Sequence, residues 1–133
     1  MKAVLMILLA VAILATFVNA EAASAEQLKS FWAGWESQVK TKRMQPEIYA
    51  LEFAKTSSPA LLADMVKDLR GDKSDDRFFA YVLVAVNWNP SKSRKILNGL
   101  LHSGNQIDRI WAREFLTELD SYEEAKREGK EWH

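Results

Sequence analysis

The chain has 133 residues, enough for one domain of ordinary size and too few for separate cofactor and substrate modules. Its 18 basic and 18 acidic residues cancel, so it offers no global field to a nucleic acid or an anionic membrane surface. It has no cysteine, which excludes disulfide frameworks, thiolate metal sites, cysteine nucleophiles and lipoprotein acylation, while an apolar content of 48% with five tryptophans suffices for a packed core.

Residues 1–20 read as a secretory signal. Lys2 is followed by an apolar run from Ala3 to Val18 broken only by Thr16, and Val18 and Ala20 stand at the small-x-small spacing of a cleavage site. The run is shorter than the roughly 20 residues a membrane-spanning helix needs, and no basic stop-transfer cluster follows. Ala23-Ser24-Ala25 is a second acceptable cleavage site. Cleavage after Ala20 leaves a single domain, 21–133, with a frayed C-terminal tail and no stable membrane insertion. Export without cysteine points to a bacterial periplasm.

The mature chain reads as all-α. Ser24 with Gln27 resembles a capping box, and Leu28, Phe31, Trp32, Trp35 and Val39 then recur at helical spacing, which predicts a first helix over about 25–41. Trp32 and Trp35 cannot both join Leu28 and Val39 on a narrow stripe, so one of them is expected at an edge. Pro46, Pro59 and Pro90 each fit the first turn of a helix, Ser58 and Asn89 fit N-caps, and Gly71 and Gly104 fit left-handed C-terminal positions. Val82, Val84 and Val86 suit a strand as well as a helix, but Ala80, Ala85 and the length of the segment favour a helix covered on most sides.

The chain also resembles itself. Asp76-Arg77-Phe78-Phe79-Ala80 recurs 32 residues later as Asp108-Arg109-Ile110-Trp111-Ala112, and Pro46-Glu47-Ile48-Tyr49-Ala50 is an earlier, weaker copy. Phe53, Leu83 and Phe115 follow three residues after the alanines, and Pro59, Met65, Val66 and Leu69 map onto Pro90, Ile96, Leu97 and Leu100. A period near 31 residues made of two short helices predicts three stacked antiparallel hairpins, about six helices, with Ala80 and Ala112, and Phe79 and Trp111, at equivalent buried positions. On these residues the chain resembles a HEAT-like helical-hairpin repeat, although such units usually run to about 40–47 residues; an irregular helical bundle is the other arrangement.

Few residues invite chemistry. His102 falls in a helix-ending stretch, where the helix dipole and free carbonyls explain it, and His133 is terminal. The loop Asp72-Lys73-Ser74-Asp75-Asp76 lacks the glycine and closing glutamate of a calcium loop, and Asp75 and Asp76 fit the opening of a helix instead. Glu114 with Glu118, and Glu123 with Glu124, are spaced for a carboxylate pair but sit among Arg113, Lys126 and Arg127, as salt-bridged faces do. We therefore expect no catalytic residue, no cofactor and no metal. The basic clusters Lys40-Lys42-Arg43 and Lys92-Arg94-Lys95 lack the interleaved aromatics of a nucleic-acid site.

A protein partner is what remains. In a hairpin stack the turns inside the hairpins align along one edge, which assigns partner binding to Lys42, Arg43, Asp72, Lys73, Asp75, Ser103 and Asn105; the opposite edge holds Ser57, Ser58 and Asn87 to Asn89. In size, signal segment and helical character the chain resembles the periplasmic immunity proteins that neutralise cell-wall-degrading effectors, such as amidases, delivered by neighbouring bacteria. The resemblance implies a compact all-α inhibitor, often dimeric, that plugs a hydrolase cleft. A periplasmic adaptor or assembly factor, and a small carboxylate-dependent cell-wall enzyme, are the alternatives.

Overall fold

The structure, a computed structural model, describes residues 24–71 and 75–132, residue 75 through its backbone alone. The segment read as a signal lies outside the described residues, as do Asp72, Lys73 and His133. Every regular element among the described residues is helical. Helix α1 covers residues 24–34 and runs into a π-helical turn, Trp35–Val39. It is followed by α2 (Pro46–Thr56), α3 (Leu61–Asp68), α4 (Asp75–Asn87), α5 (Pro90–Leu100) and α6 (Gln106–Arg127).

Local chemistry sets most of these boundaries. Pro46 and Pro90 open α2 and α5, where a missing N–H breaks no helical bond. Asn89 caps α5 by accepting from the amides of Ser91 (3.0 Å) and Lys92 (3.3 Å), and Asn105 caps α6 by accepting from Ile107 (2.9 Å) and Asp108 (3.2 Å). Pro59 differs from the expectation: it lies in a turn held by Leu61 N–H to Ser58 O (3.0 Å), and α3 starts only at Leu61. Gly71 and Gly104 also differ, since neither is left-handed; the left-handed residues among those described are Lys42 (φ 60°) and Gly129 (φ 67°). Both close the same motif. At α6 the Lys130 amide bonds to Ala125 O and the Gly129 amide to Lys126 O; after α1 the Arg43 amide bonds to Gln38 O and the Lys42 amide to Val39 O. Lysine thus occupies a position that glycine fills at the other helix end, at a steric cost of about 1–2 kcal/mol.

The helices pack in two rows. α2 lies most extensively on α4, α4 on α6, and α3 on α5, while α5 pairs with α6 along its length and α3 touches α4 only slightly. Ring contacts give the direction: Phe78 near the start of α4 meets Trp111 and Phe115 in the first half of α6, at 5.1 and 5.0 Å between centroids, so these two helices start at the same end. α4 is the central element. Every residue from Ala80 to Val86 is buried, which is why a valine-rich segment that could have paired as a strand is satisfied as a helix with neighbours all round. Ala50, Ala80 and Ala112 are fully buried in α2, α4 and α6, where a small side chain permits close approach. The aromatic before the alanine does not follow the expected pattern, because Phe79 is 39% exposed and Trp111 half-buried. α4 is turned so that Phe78, one residue earlier, fills the seam against α6.

The core has an aromatic centre at the α1 end. Phe31 is fully buried with Trp32, Trp35, Tyr49, Phe53 and Tyr81 around it at 4.8–6.0 Å between centroids. The Tyr49 hydroxyl donates to Phe31 O (2.6 Å) and lies against Gly34, so an added Cβ there would collide with the ring and hydroxyl. Gly34→Ala is therefore expected to destabilise the fold by about 1 kcal/mol, overpacking outweighing the gain in helix propensity. A denaturant titration in which Gly34→Ala is more stable than the wild type would contradict this contact.

At the other end Arg94 of α5 bonds to Asp120 (2.7 Å) and Glu123 (2.9 Å) of α6. These contacts replace the partners expected for Glu123 from its sequence neighbours. Beyond Gly129 the chain turns back, and the half-buried Trp132 packs edge-on against Tyr122 at 5.4 Å.

Candidate functional site

The end of the molecule that carries the α1–α2, α3–α4 and α5–α6 turns has its own chemistry. A cleft of about 560 Å³ opens there between the π-helical turn and the first turns of α2 and α4, lined by Trp32, Trp35, Glu36, Val39, Lys40, Pro46, Asp76, Arg77 and Phe79. The π-helical turn itself is closed by Lys40 N–H to Trp35 O (3.0 Å), and such turns are frequent at functional sites. A shallower depression of about 230 Å³ shares Val39 and Pro46 with the cleft and is walled by Lys42 and Arg43. On the other side of Phe79 a third, of about 160 Å³, lies over Phe78, Val82 and Glu118. Phe79 thus stands on a ridge between hollows.

A chain of hydrogen bonds fixes the cleft floor. The Trp32 indole N–H donates to the Tyr81 hydroxyl (2.8 Å), which donates to Asp68 Oδ2 (2.6 Å), and the same oxygen accepts from Arg77 Nη1 (2.5 Å). Arg77 also lies over the Trp32 ring at 4.6 Å. Burial, reinforced by the bond to the Asp68 carboxylate, pushes the Tyr81 hydroxyl well above the usual tyrosine range, so it serves as a fixed donor and not as an acid. Of the two tryptophans expected to divide between core and edge, Trp35 is buried and Trp32 half-buried at the cleft.

A second network ties the α3–α4 turn to the α5–α6 turn. Arg70 donates through Nε to Asp108 Oδ1 (2.5 Å) and through Nη2 to Oδ2, and Ser103 Oγ adds a bond to Oδ2 (3.3 Å). Asp108 is 2% exposed; the Arg70 bonds hold its carboxyl below the usual range against the opposing effect of burial. Arg109 then donates to Ser103 O (2.6 Å). The two Asp-Arg copies therefore do different work: in the first Arg77 binds Asp68, and in the second Asp108 binds Arg70.

Of the sequence-assigned residues, Lys42, Arg43, Asp75, Ser103 and Asn105 fall at this end, in different roles. Lys42 and Arg43 flank the cleft. Asp75 is the first residue of α4. Ser103 and Asn105 are engaged in the α5–α6 turn, Ser103 with Asp108 and Asn105 as a cap, so their polar atoms serve the fold. Asp72 and Lys73 lie outside the described residues. Sequence reasoning missed Asp76, Arg77 and Phe79 as lining residues; the internal repeat had assigned Phe79 to the seam. Among the described residues there is no group of three or more His, Asp or Glu placed to hold a metal ion, and no helix long and apolar enough to cross a membrane.

The large exposed apolar residues share this end. Ile48 and Leu51 of α2, Phe79 of α4, and Ile107 and Ile110 of α6 all fall within the first two turns of their helices. Of these, Phe79 lines the cleft together with Glu36, Lys40, Asp76 and Arg77, charges of both signs. No family model, curated protein or solved structure matches the chain.

Proposed function

We propose that the chain is an exported protein-binding module, an immunity-type inhibitor that acts in the periplasm by covering the active-site cleft of a cell-wall hydrolase, for which a peptidoglycan amidase is the leading candidate. The observation that carries this reading is the gathering of Ile48, Leu51, Phe79, Ile107 and Ile110 at the end formed by the hairpin turns, beside a cleft with paired charges. A surface of this kind supplies affinity from apolar burial and steering from charge, and inhibition by steric blockade asks nothing more. The buried alanines at positions 50, 80 and 112 support reading the scaffold as a short HEAT-like stack. The rigid Arg70–Asp108 and Tyr81–Asp68–Arg77 links suit it, since a plug must hold its shape to bind tightly.

The test is inhibition. Purified chain lacking residues 1–20 is expected to stop muropeptide release by a cognate amidase at equimolar ratio and to release nothing from peptidoglycan by itself. Phe79→Asp with Ile110→Asp should weaken inhibition by more than about tenfold, whereas Ser57→Ala and Asn87→Ala on the opposite edge should not. Turnover of peptidoglycan by the chain alone would establish an enzyme instead, and tight binding without inhibition would favour an adaptor.

A further inference from the structure

The cleft is particular about charge. Glu36 is paired with Lys40 at 2.8 Å, and Arg77 with Asp68. Asp76 lines the same wall, is exposed, and takes part in none of these pairs. It stands three residues before Phe79 on α4, so the carboxylate and the exposed ring share one helix face, and Pro46 lines the same cleft. The Trp32 ring, by contrast, already has the Arg77 guanidinium over one face and Phe31, Trp35 and Tyr81 in edge contact with it. What the free wall lacks is a cation with an apolar stem.

Building on the protein-binding reading above, we propose that this cleft is the subsite for a basic side chain of the partner, an arginine or lysine whose alkyl stem lies on Phe79 and Pro46 and whose charged head meets Asp76. Long basic side chains bury their stems while keeping the head hydrated or paired, which matches a cleft that sets the apolar Phe79 and Pro46 beside a carboxylate, Asp76, outside the Glu36–Lys40 and Arg77–Asp68 pairs. The Arg77–Trp32–Asp68 arrangement in the same cleft is an internal example of the same recognition: a guanidinium held between an aromatic face and a carboxylate.

The subsite can be tested without the partner. N-acetyl-arginine methylamide titrated into the isotope-labelled chain should shift the indole N–H signal of Trp32 and the amide signals of Asp76 and Phe79. N-acetyl-norleucine methylamide, with a similar stem and no charge, and N-acetyl-glutamate methylamide should bind at least about fivefold more weakly. Asp76→Asn, which changes charge and little else, should remove the preference for arginine while leaving the thermal melt in place. Equal response to norleucine, preference for glutamate, or no response to any probe overturns the subsite. So does a dilution-dependent shift of the same signals without probe, which would put a second copy of the chain in the cleft. If Asp76→Asn does not fold, the ranking of the three probes on the wild type decides alone. Loss of amidase inhibition with the arginine preference intact would overturn the function and spare the subsite; the reverse result would overturn the subsite alone.

Discussion

Phe31→Ala is expected to lower the unfolding free energy by about 3–5 kcal/mol. The side chain is fully buried and five other aromatic rings close on it, so no neighbour can collapse into the space without leaving its own contacts. α1 and the π-helical turn together bury two large residues fully or nearly so, Phe31 and Trp35, and both belong to this cluster. The loss should therefore fall first on the attachment of α1, and with it on the cleft whose one wall is the π-helical turn. Urea titration should show a lower midpoint, and hydrogen exchange should show residues 28–39 opening before α4. Phe31→Leu, which retains most of the volume, should cost far less. A loss below about 1 kcal/mol for Phe31→Ala would mean that α1 is held by something other than its aromatic face.

The second large effect depends on pH. Asp108→Ala removes the acceptor of two Arg70 bonds and of the Ser103 hydroxyl, and at neutral pH is expected to cost about 2 kcal/mol. The figure is set in the lower part of the range for charged hydrogen bonds because Arg70 is 38% exposed and can return to water. The direction with pH follows from the depressed carboxyl. Asp108 ionises more readily in the folded chain than in the unfolded one, where the ordinary value is 3.8, so its contribution is complete above that value. It is lost as the pH falls through the lower value Asp108 has in the folded state. The gap in stability between wild type and Asp108→Ala should thus be constant from pH 7 to about 5 and close in stronger acid. A gap that widens on acidification would contradict the assignment of Asp108 as the ionised acceptor.

How far the sequence reveals this molecule depends on what kind of force sets each feature. The helices were legible because local signals determine them: proline at the start of α2 and α5, Asn89 as the cap of α5, and the spacing of Phe31 and Trp35 across α1 and the π-helical turn; the Asn105 cap of α6 was not read as one. The alanines at 50, 80 and 112 were legible because close approach between helices admits little else. The rotation of α4 was not. Phe78 and Phe79 are adjacent and equally apolar, and which one enters the seam is decided by the faces of α2 and α6 together. Tertiary ion pairs were equally hidden, since Arg70 reaches Asp108 across 38 residues and Arg94 reaches Glu123 across 29. Lys42 gave no signal for its left-handed turn, because that signal is normally a glycine. The alternation of hairpin turns told which turns share an end, but not that Ile48, Leu51, Phe79, Ile107 and Ile110 are exposed there, because exposure is a property of packing and not of residue type.

On the proposed function, this end of the stack meets another protein. Hydrogen exchange measured on the chain alone and in the presence of a candidate peptidoglycan amidase tests this. Added protection is expected in residues 35–49, 76–80 and 105–111, with residues 57–62 and 87–92 unchanged. Protection confined to 57–62 and 87–92, with the cleft residues exchanging as in the free chain, would contradict it.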